Sequence, residues 1–313
     1  MKEEIIVSGR INPLVDPQLH IWHWQIPLYL FLGGLAAGIM FFATLYFIMN
    51  KEDKYPTAVK YAPFHVPFIL IIGLAALFLD LNHKPYFWRL YTTIRFESPM
   101  SWGAWTLMAI TPLSFIWSAL NIRLVFPGWD WKYSWLKDFE AFCMKYKLQI
   151  AWIILFLAVI LGIYTGILFS AFNARPLWNT SILGPLFLVS GLSTGAAVIV
   201  LMSKSGEERK LFARIDLILI GIELFLITHM FMGFLASHQV QIDAARLFLG
   251  GPYTAPFWIF VVILGLAIPA LLEILELKKY KIPVLIPAIL VLFGGIMLRF
   301  IIAYAGQASR WLY

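Results

Sequence analysis

The 313-residue chain is 61% hydrophobic and only 13% charged, and its mean hydropathy of +0.81 lies outside the range of soluble globular proteins. Its formal net charge of +7 does not indicate nucleic-acid binding, because no basic run or base-stacking module accompanies it. The single cysteine, Cys143, excludes an intramolecular disulfide and any all-cysteine metal or iron–sulfur site. These properties predict an all-α integral membrane protein.

Eight apolar stretches, each about twenty residues long, predict eight transmembrane helices. Their continuous apolar character disfavours a strand barrel, whose strands would alternate over about ten residues. The connections are short apart from a basic, Trp-rich loop at 123–147, so we expect one membrane domain over 1–313. In chain order the predicted spans are 24–49, 63–81, 102–121, 148–172, 178–202, 211–235, 256–277 and 282–303.

The lysines and arginines are distributed unevenly between the two sets of loops. The loops after the first, third, fifth and seventh spans hold fifteen of them, and the opposite face holds eight. Because cytoplasmic loops carry the Lys/Arg excess, the richer face is expected to be cytoplasmic. Both termini and the corner at Arg175 are then extracytoplasmic, and the chain is predicted to be a multi-pass protein of the cell inner (cytoplasmic) membrane.

The two halves of the chain, 24–172 and 178–303, resemble one another. LFLGGLAAG at 30–38 aligns with FLVSGLSTG at 187–195, which places Gly34 opposite Gly191 and Gly38 opposite Gly195 at a separation of 157 residues. Four spans per half would give both halves the same orientation, as a parallel repeat of two four-helix bundles. The alternative is that small residues four apart are simply common where membrane helices pack closely.

Aromatic and polar residues near the outer ends of the first and fourth spans suggest a binding site. Tyr164 lies inside the fourth span, which ends in a polar corner with Asn173 and Arg175, and His23 and Tyr29 lie at the entry to the first span. Two phenols and a histidine at similar depth could hydrogen-bond the carbonyls of a quinone, and the histidine could also exchange a proton. The alternative is a packing tyrosine under an ordinary turn.

Ionisable residues inside predicted spans are costly and by default suggest function. Asp80, Asp216, Glu223, His229 and Arg299 are therefore candidates for a proton path, with Arg299 about one turn inside the eighth span. Asp216 and Glu223 are seven residues apart and share one helix face. The alternatives are a structural ion pair of Arg299 with Asp80 or Glu223, and a merely interfacial position for Asp216.

Glu273 is also close to the cytoplasmic end of its predicted span, and a merely interfacial position is the alternative for it as well. A haem held by two histidines is not expected, because only His65 and His229 fall within predicted spans and they lie at opposite depths. We therefore expect neither haem nor another metal in this chain.

Six stretches carry a resemblance to a known family. The sequence is similar to the NrfD/PsrC-like family, the membrane subunits of polysulfide-reductase type. The matching stretches follow the family's order through nearly the whole chain: YLFLGGLAAG at 29–38, LDLNHKPYFWRL at 79–90, SPMSWGAW at 98–105, YTGILFSAFNARPLWN at 164–179, FLVSGLSTGAA at 187–197 and LRFIIAYAGQ at 298–307.

The resemblance implies a subunit without haem or metal that binds menaquinone or ubiquinone near the outer face. It implies electron exchange with a ferredoxin-like iron–sulfur subunit docked there, which serves a molybdopterin catalytic subunit or a multihaem cytochrome. The tyrosine matching Tyr164 contacts the quinone in the family. The family has a histidine at the position of Tyr29 and an asparagine at that of Ile26, so the contacts on the first helix differ in this chain.

We therefore expect a quinone- or quinol-binding membrane anchor subunit of a respiratory oxidoreductase, with proton transfer as an added role. The main alternative is a secondary transporter, or a proton-conducting membrane subunit without a redox site of its own. A transporter predicts helices broken by unwound segments near the membrane centre. A third interpretation is a purely structural anchor without a quinone. Membrane lipid is an expected partner in every case.

Overall fold

The computed structural model describes residues 22–278, 280 and 282–310. Throughout this part of the chain the regular structure is helical, and eight helices are long and apolar enough to cross a membrane. The prediction of an all-α, eight-helix membrane fold is therefore confirmed. The spanning helices are α1 Gln25–Ile48, α2 Thr57–Asp80, α3 Pro99–Leu120, α4 Lys147–Ser170, α5 Leu183–Met202, α6 Gly206–Leu235, α7 Pro256–Leu277 and α8 Leu285–Ala308.

Two of these helices contain wider turns, and shorter helices lie between the spans. α2 starts with a π-helical turn, Thr57–Tyr61, and a 3-10 turn, Pro63–His65, before its α-helical part, Val66–Asp80. α7 is π-helical over Pro256–Ala267 and α-helical over Ile268–Leu277. The shorter helices are Lys84–Tyr86, Arg89–Thr92, Ile122–Val125, Ser134–Lys145 and Gln239–Arg246.

The observed bounds differ from the predicted ones for local reasons. α6 begins at Gly206 because the Ser205 hydroxyl accepts a hydrogen bond from the Glu208 backbone N–H and caps the helix. α5 begins only at Leu183, because Trp178 belongs to the preceding turn, where its indole N–H donates to the Ile302 carbonyl at 2.9 Å. α8 continues to Ala308, so Arg299 lies nine residues from its end, deeper than predicted.

The centre of the bundle is the crossing of α1 and α5. α1 packs against α2, α4, α5 and α8, and α5 packs against α1, α4, α6 and α8. The backbones meet at glycines: a Cβ on Gly191 would lie 2.7 Å from the Gly34 carbonyl oxygen, and one on Gly195 would lie 2.6 Å from the Gly38 carbonyl carbon. Only glycine allows this approach, which is typical of close packing between membrane helices.

The helix contacts of one half recur in the other. α1 packs on α2 as α5 packs on α6, and the pairs α1–α4, α3–α4 and α2–α3 correspond to α5–α8, α7–α8 and α6–α7. This pattern agrees with the parallel repeat, which stays a prediction, as does the position of the termini outside the cytoplasm. Below, the outer end is the end of the bundle that holds the start of α1 and the end of α8, and the lysine-rich end is the opposite one.

Candidate functional site

A cavity of about 220 Å³ lies at the outer end, between the first four spanning helices. Most of its lining is apolar, contributed by residues such as Ile26, Leu77, Met100 and Leu107. A few polar groups converge on it from separate elements, which is the usual composition of a small-molecule site. These polar residues are Tyr29, Asp80, Asn82, Tyr91 and Tyr164.

Two phenols meet inside this cavity. Tyr29 on α1 and Tyr164 on α4 are only 4% and 6% exposed, and their hydroxyl groups are in hydrogen-bonding contact. Tyr29 is four residues from the start of α1 and Tyr164 six residues from the end of α4, so their depths are roughly 6 and 9 Å along the helix axes. The structure therefore brings together the two residues that the sequence analysis placed at similar depth.

A glycine on α3 makes room for one of the phenols. A Cβ on Gly103 would overlap the ring of Tyr164, so α3 can approach α4 here only because residue 103 lacks a side chain. Gly103 was not predicted from the sequence as a site residue. Gly103 belongs to the SPMSWGAW stretch, which carries the family resemblance. That stretch alone does not show what the glycine contacts.

An acidic residue at the end of α2 connects the cavity with the outer surface. Asp80, a proton-path candidate, lines the cavity, and its Oδ1 is 3.8 Å from Nδ1 of His23. The Asp80 side chain is 14% exposed and that of His23 is 65% exposed. His23 does not line the cavity but lies outside it, so the two residues form a short polar link between the cavity and the surface.

The polar corner after α4 has a different environment. Arg175 is buried, and its Nη1 donates to the Ser309 carbonyl at 2.7 Å, while the Leu177 N–H donates to the Ser309 hydroxyl at 3.3 Å. Asn173 is exposed. Neither Arg175 nor Asn173 lines the cavity. In this structure the corner joins the α4–α5 connection to the end of α8.

Trp22 is a cavity residue that was not predicted from the sequence as part of the site. Its backbone N–H donates to Gln307 Oε1 and its carbonyl accepts from Gln307 Nε2, both at 2.9 Å. Its ring packs against Phe169, Phe172 and Trp178 at centroid distances of 5.4, 4.9 and 5.2 Å. The wall of the cavity is thereby fixed to the end of α8.

Tyr91 and Asn82, which were also missed, reach the cavity from the connection between α2 and α3. Burial raises the pKa of the Tyr91 hydroxyl, so this phenol remains a hydrogen-bond donor at neutral pH. The same connection forms an open groove of about 750 Å³ on the outer surface. The groove and the cavity share four lining residues, so the cavity is continuous with the surface: Leu81, Asn82, Leu90 and Met100.

Further buried charges lie in the second half. Arg299 is fully buried on α8, and its guanidinium donates to Ser190 Oγ at 2.5 Å, to the Gly295 carbonyl at 2.9 Å and to the Phe187 carbonyl at 3.0 Å. The Ser190 hydroxyl also contacts the Glu223 carboxyl. Arg299 and Glu223 therefore interact through Ser190, as one of the two predicted pairings anticipates.

The remaining candidates separate into a buried pair and an exposed residue. Asp216 accepts a hydrogen bond of 2.5 Å from the Ser193 hydroxyl and lies against Glu273 of α7. Both acids are buried, at 1% and 4% exposure. The interfacial alternative concerns depth along the helix, so it stays a prediction. His229 is exposed and stacks on Phe225 at 5.9 Å.

Comparison with known proteins assigns this architecture to a family. Residues 14–309 match the profile of the polysulphide reductase NrfD family. The chain belongs to this family. It is 33% identical to one of the polysulfide reductase chains of Wolinella succinogenes, over 92% of this chain and 94% of that one. It is 31% identical to the protein NrfD of Escherichia coli K12, over 92% and 96% of the two chains.

A more distant relative, a selenate reductase subunit of Mesobacillus selenatarsenatis, is 24% identical over 90% of this chain and 72% of that one. The resemblance found in the sequence is thus confirmed at the level of the family. With its eight apolar helices, this NrfD family member is a multi-pass integral membrane protein.

Proposed function

We propose that this chain is the quinone-binding membrane subunit of a respiratory reductase complex and that the cavity at its outer end holds the quinone head group. The observation that supports this is the meeting of two buried phenols, Tyr29 and Tyr164, in an otherwise apolar cavity. Quinone carbonyls are acceptors that match these donors, and the apolar walls suit a ring and a prenyl tail. Menaquinone and ubiquinone both meet these requirements.

The residues of the chain would bind the quinone and move protons. A bound quinone supplies two-electron, two-proton redox chemistry. Tyr29 and Tyr164 donate hydrogen bonds to it and orient it, and the surrounding aliphatic side chains exclude water. Asp80, 3.8 Å from the exposed His23, is placed to pass protons between the cavity and the outer surface.

Electrons are proposed to pass between the quinone and a partner protein at the groove beside the cavity. It is lined by Tyr86, Phe87, Arg89 and Arg95, with the Arg89 guanidinium 4.8 Å from the Tyr86 ring centroid. The proposed partner is a ferredoxin-like iron–sulfur subunit on the extracytoplasmic face of the inner membrane, which serves a molybdopterin subunit or a multihaem cytochrome. Two relatives are named as one chain or one subunit of a larger reductase, which supports a multi-subunit assembly.

The transporter alternative has less support. It predicts spans broken by unwound segments near the membrane centre. In the part of the chain that the structure describes, no spanning helix contains an extended break, and the irregular turns of α2 and α7 are π-helical or 3-10. The quinone-binding proposal accounts for the two phenols, which a transporter does not require.

The test is Tyr164→Phe, which removes one hydroxyl and almost no volume. Loss of a hydrogen bond of about 0.5–1.5 kcal/mol should weaken quinone binding roughly 2- to 10-fold, with assembly and activity towards artificial electron donors close to normal. The matched control is Tyr46→Phe, because Tyr46 is buried near the other end of α1, where its ring packs against Tyr55 at 5.1 Å. Equal quinone kinetics in the two variants would contradict the proposal.

A further inference from the structure

Two acidic side chains meet inside the membrane domain, far from the cavity. Asp216 of α6 and Glu273 of α7 are in contact, and both are at least nine-tenths buried. Ser193 donates to Asp216 Oδ1, but no hydrogen bond from the described residues reaches Asp216 Oδ2 or Glu273 Oε2. Each acid therefore has one buried oxygen that no donor outside the pair reaches in the described residues.

A structural buried carboxylate in the same protein looks different. Glu208, which is also fully buried, accepts the Ala58 N–H at 2.9 Å on one oxygen and the Ser203 hydroxyl at 2.8 Å on the other. Both of its oxygens are satisfied, and its role in joining α6 to α2 explains its burial. The contact between Asp216 and Glu273 has no such explanation.

Electrostatics limits the charge that this pair can carry. Two carboxylates in contact at a buried site cannot both be ionised without a cation, so one of them keeps a proton. Among the described residues, the charged groups around the pair do not supply that cation: Glu276 on α7 and Glu223 on α6 are acidic. Arg299 of α8 acts on Glu223 through Ser190. The pair therefore has the composition of a site for one shared proton.

We propose that Asp216 and Glu273 form a proton-binding site that holds one proton between the two carboxyl groups and exchanges it at the lysine-rich end. Glu273 lies four residues before the end of α7, roughly 6 Å along the axis. Asp216 lies ten residues after the start of α6, roughly 15 Å from the same end of the bundle. The site is therefore on the opposite side from the quinone cavity.

Polar side chains continue from this site towards the cavity. Ser193 lies three residues from Ser190, and Asp216 seven residues from Glu223, so each pair shares a helix face. The guanidinium of Arg299 ends 3.2 Å from where a Gly34 Cβ would be, on α1. Gly34 is five residues after Tyr29, roughly 8 Å along the axis. Only this link to quinone chemistry rests on the proposed function; the shared proton does not.

The direct test is infrared spectroscopy of the purified protein at neutral pH in H₂O and in D₂O. A protonated carboxyl gives a carbonyl band, separate from carboxylate bands, that shifts on deuteration. We expect Asp216→Asn and Glu273→Gln each to remove a component of this band. The matched control is Glu276→Gln, because Glu276 lies three residues from Glu273 on α7 but outside the pair, and this variant should keep that component.

The opposite results are equally clear. A band that is unchanged in both variants, or equally reduced in the Glu276→Gln control, would overturn the proposal. If either variant does not fold, the unsubstituted protein still decides, because folded protein without any protonated-carboxyl band at neutral pH contradicts a shared proton. Binding of radioactive sodium that Glu273→Gln abolishes would also overturn it, since the site would then hold a metal cation.

The two proposals can fail independently. Tyr164→Phe should leave the infrared band in place, and Glu273→Gln should leave quinone binding in place. If the pair supplies protons to quinone chemistry, Glu273→Gln should slow proton uptake from the lysine-rich side in proteoliposomes several-fold. Unchanged uptake in this variant, with the band lost, would overturn exchange at that end.

Discussion

The helix contacts of one half of this protein recur in the other, but the two halves carry different chemistry. α1 and α5 cross at glycines 157 residues apart in the sequence, Gly34 and Gly191. At the same separation, Tyr29 of α1 corresponds to Leu186 of α5, and Ser190 of α5 corresponds to Gly33 of α1. The first half therefore surrounds a cavity with phenols, and the second half buries charges.

This difference has an energetic consequence. A buried phenol needs one hydrogen-bond partner, whereas a buried charge needs a counter-charge and several partners. The first half can therefore keep space for a ligand near Tyr29 and Tyr164. In the second half the space around Arg299 is occupied by Ser190, Gly295 and Phe187, each of which accepts a hydrogen bond from the guanidinium. Substitutions in each half can test this comparison.

The largest effect is expected from Arg299→Met in the second half. The substitution leaves Glu223 buried without its counter-charge. It also removes the hydrogen bonds that the guanidinium donates to Ser190 and to two backbone carbonyls. Breaking a buried pair in this way costs about 3–5 kcal/mol, which we expect to see as a large fall in the thermal midpoint of the purified protein. The measurement is thermal unfolding in detergent.

The control for this prediction is Arg246→Met, since Arg246 makes an exposed pair with Asp243 at 2.8 Å and should contribute little to stability. Adding Glu223→Gln to Arg299→Met should recover part of the lost stability, because the unpaired charge is then removed. A melting temperature for Arg299→Met equal to that of the Arg246→Met control would contradict the assignment of Arg299 and Glu223 as a coupled buried pair.

The fold could be read from the sequence because bilayer spanning depends on long apolar runs, which are local. All eight helices were predicted, and the α7 bounds, Pro256–Leu277, agree with the predicted 256–277. Errors occurred where a tertiary contact or a cap sets the boundary. Trp178 was predicted to start a span. Its ring instead lies against Gly306, and this contact keeps Trp178 in the turn before α5.

The candidate site could be predicted only where depth along a helix was enough. Tyr29 and Tyr164 were paired correctly in space because both are close to the outer end. Which way a side chain points around its helix depends on its neighbours, and the sequence did not show this. The predicted site therefore included Arg175, although this residue contacts Ser309. It omitted Gly103, although the Tyr164 ring lies against it.

A smaller effect, confined to the first half, is expected from Gly103→Ala. The added methyl overlaps the Tyr164 ring, so the phenol must move or α3 must shift. Overpacking of this kind costs about 1–3 kcal/mol, and we expect a clear loss of quinone turnover with the infrared carboxyl band unchanged. The control is Gly73→Ala on α2, whose methyl would meet only ordinary contacts, the closest being Leu32 Cβ at 3.5 Å. Equal quinone kinetics in the two variants would contradict the role given to Gly103.

The smallest effect is expected from His229→Phe, which tests whether the exposed face of α6 takes part in proton transfer. His229 is exposed and stacks on Phe225, and a phenylalanine can keep that stacking. Because a proton path in a membrane runs through the protein interior or a wet cavity rather than along the lipid, removing this imidazole should leave proton uptake unchanged. Glu223→Gln, six residues earlier on the buried face of the same helix, should lower it. Proton-uptake assays in proteoliposomes compare the two variants. A loss of uptake in His229→Phe that matches the loss in Glu223→Gln would place the path on the exposed face of α6.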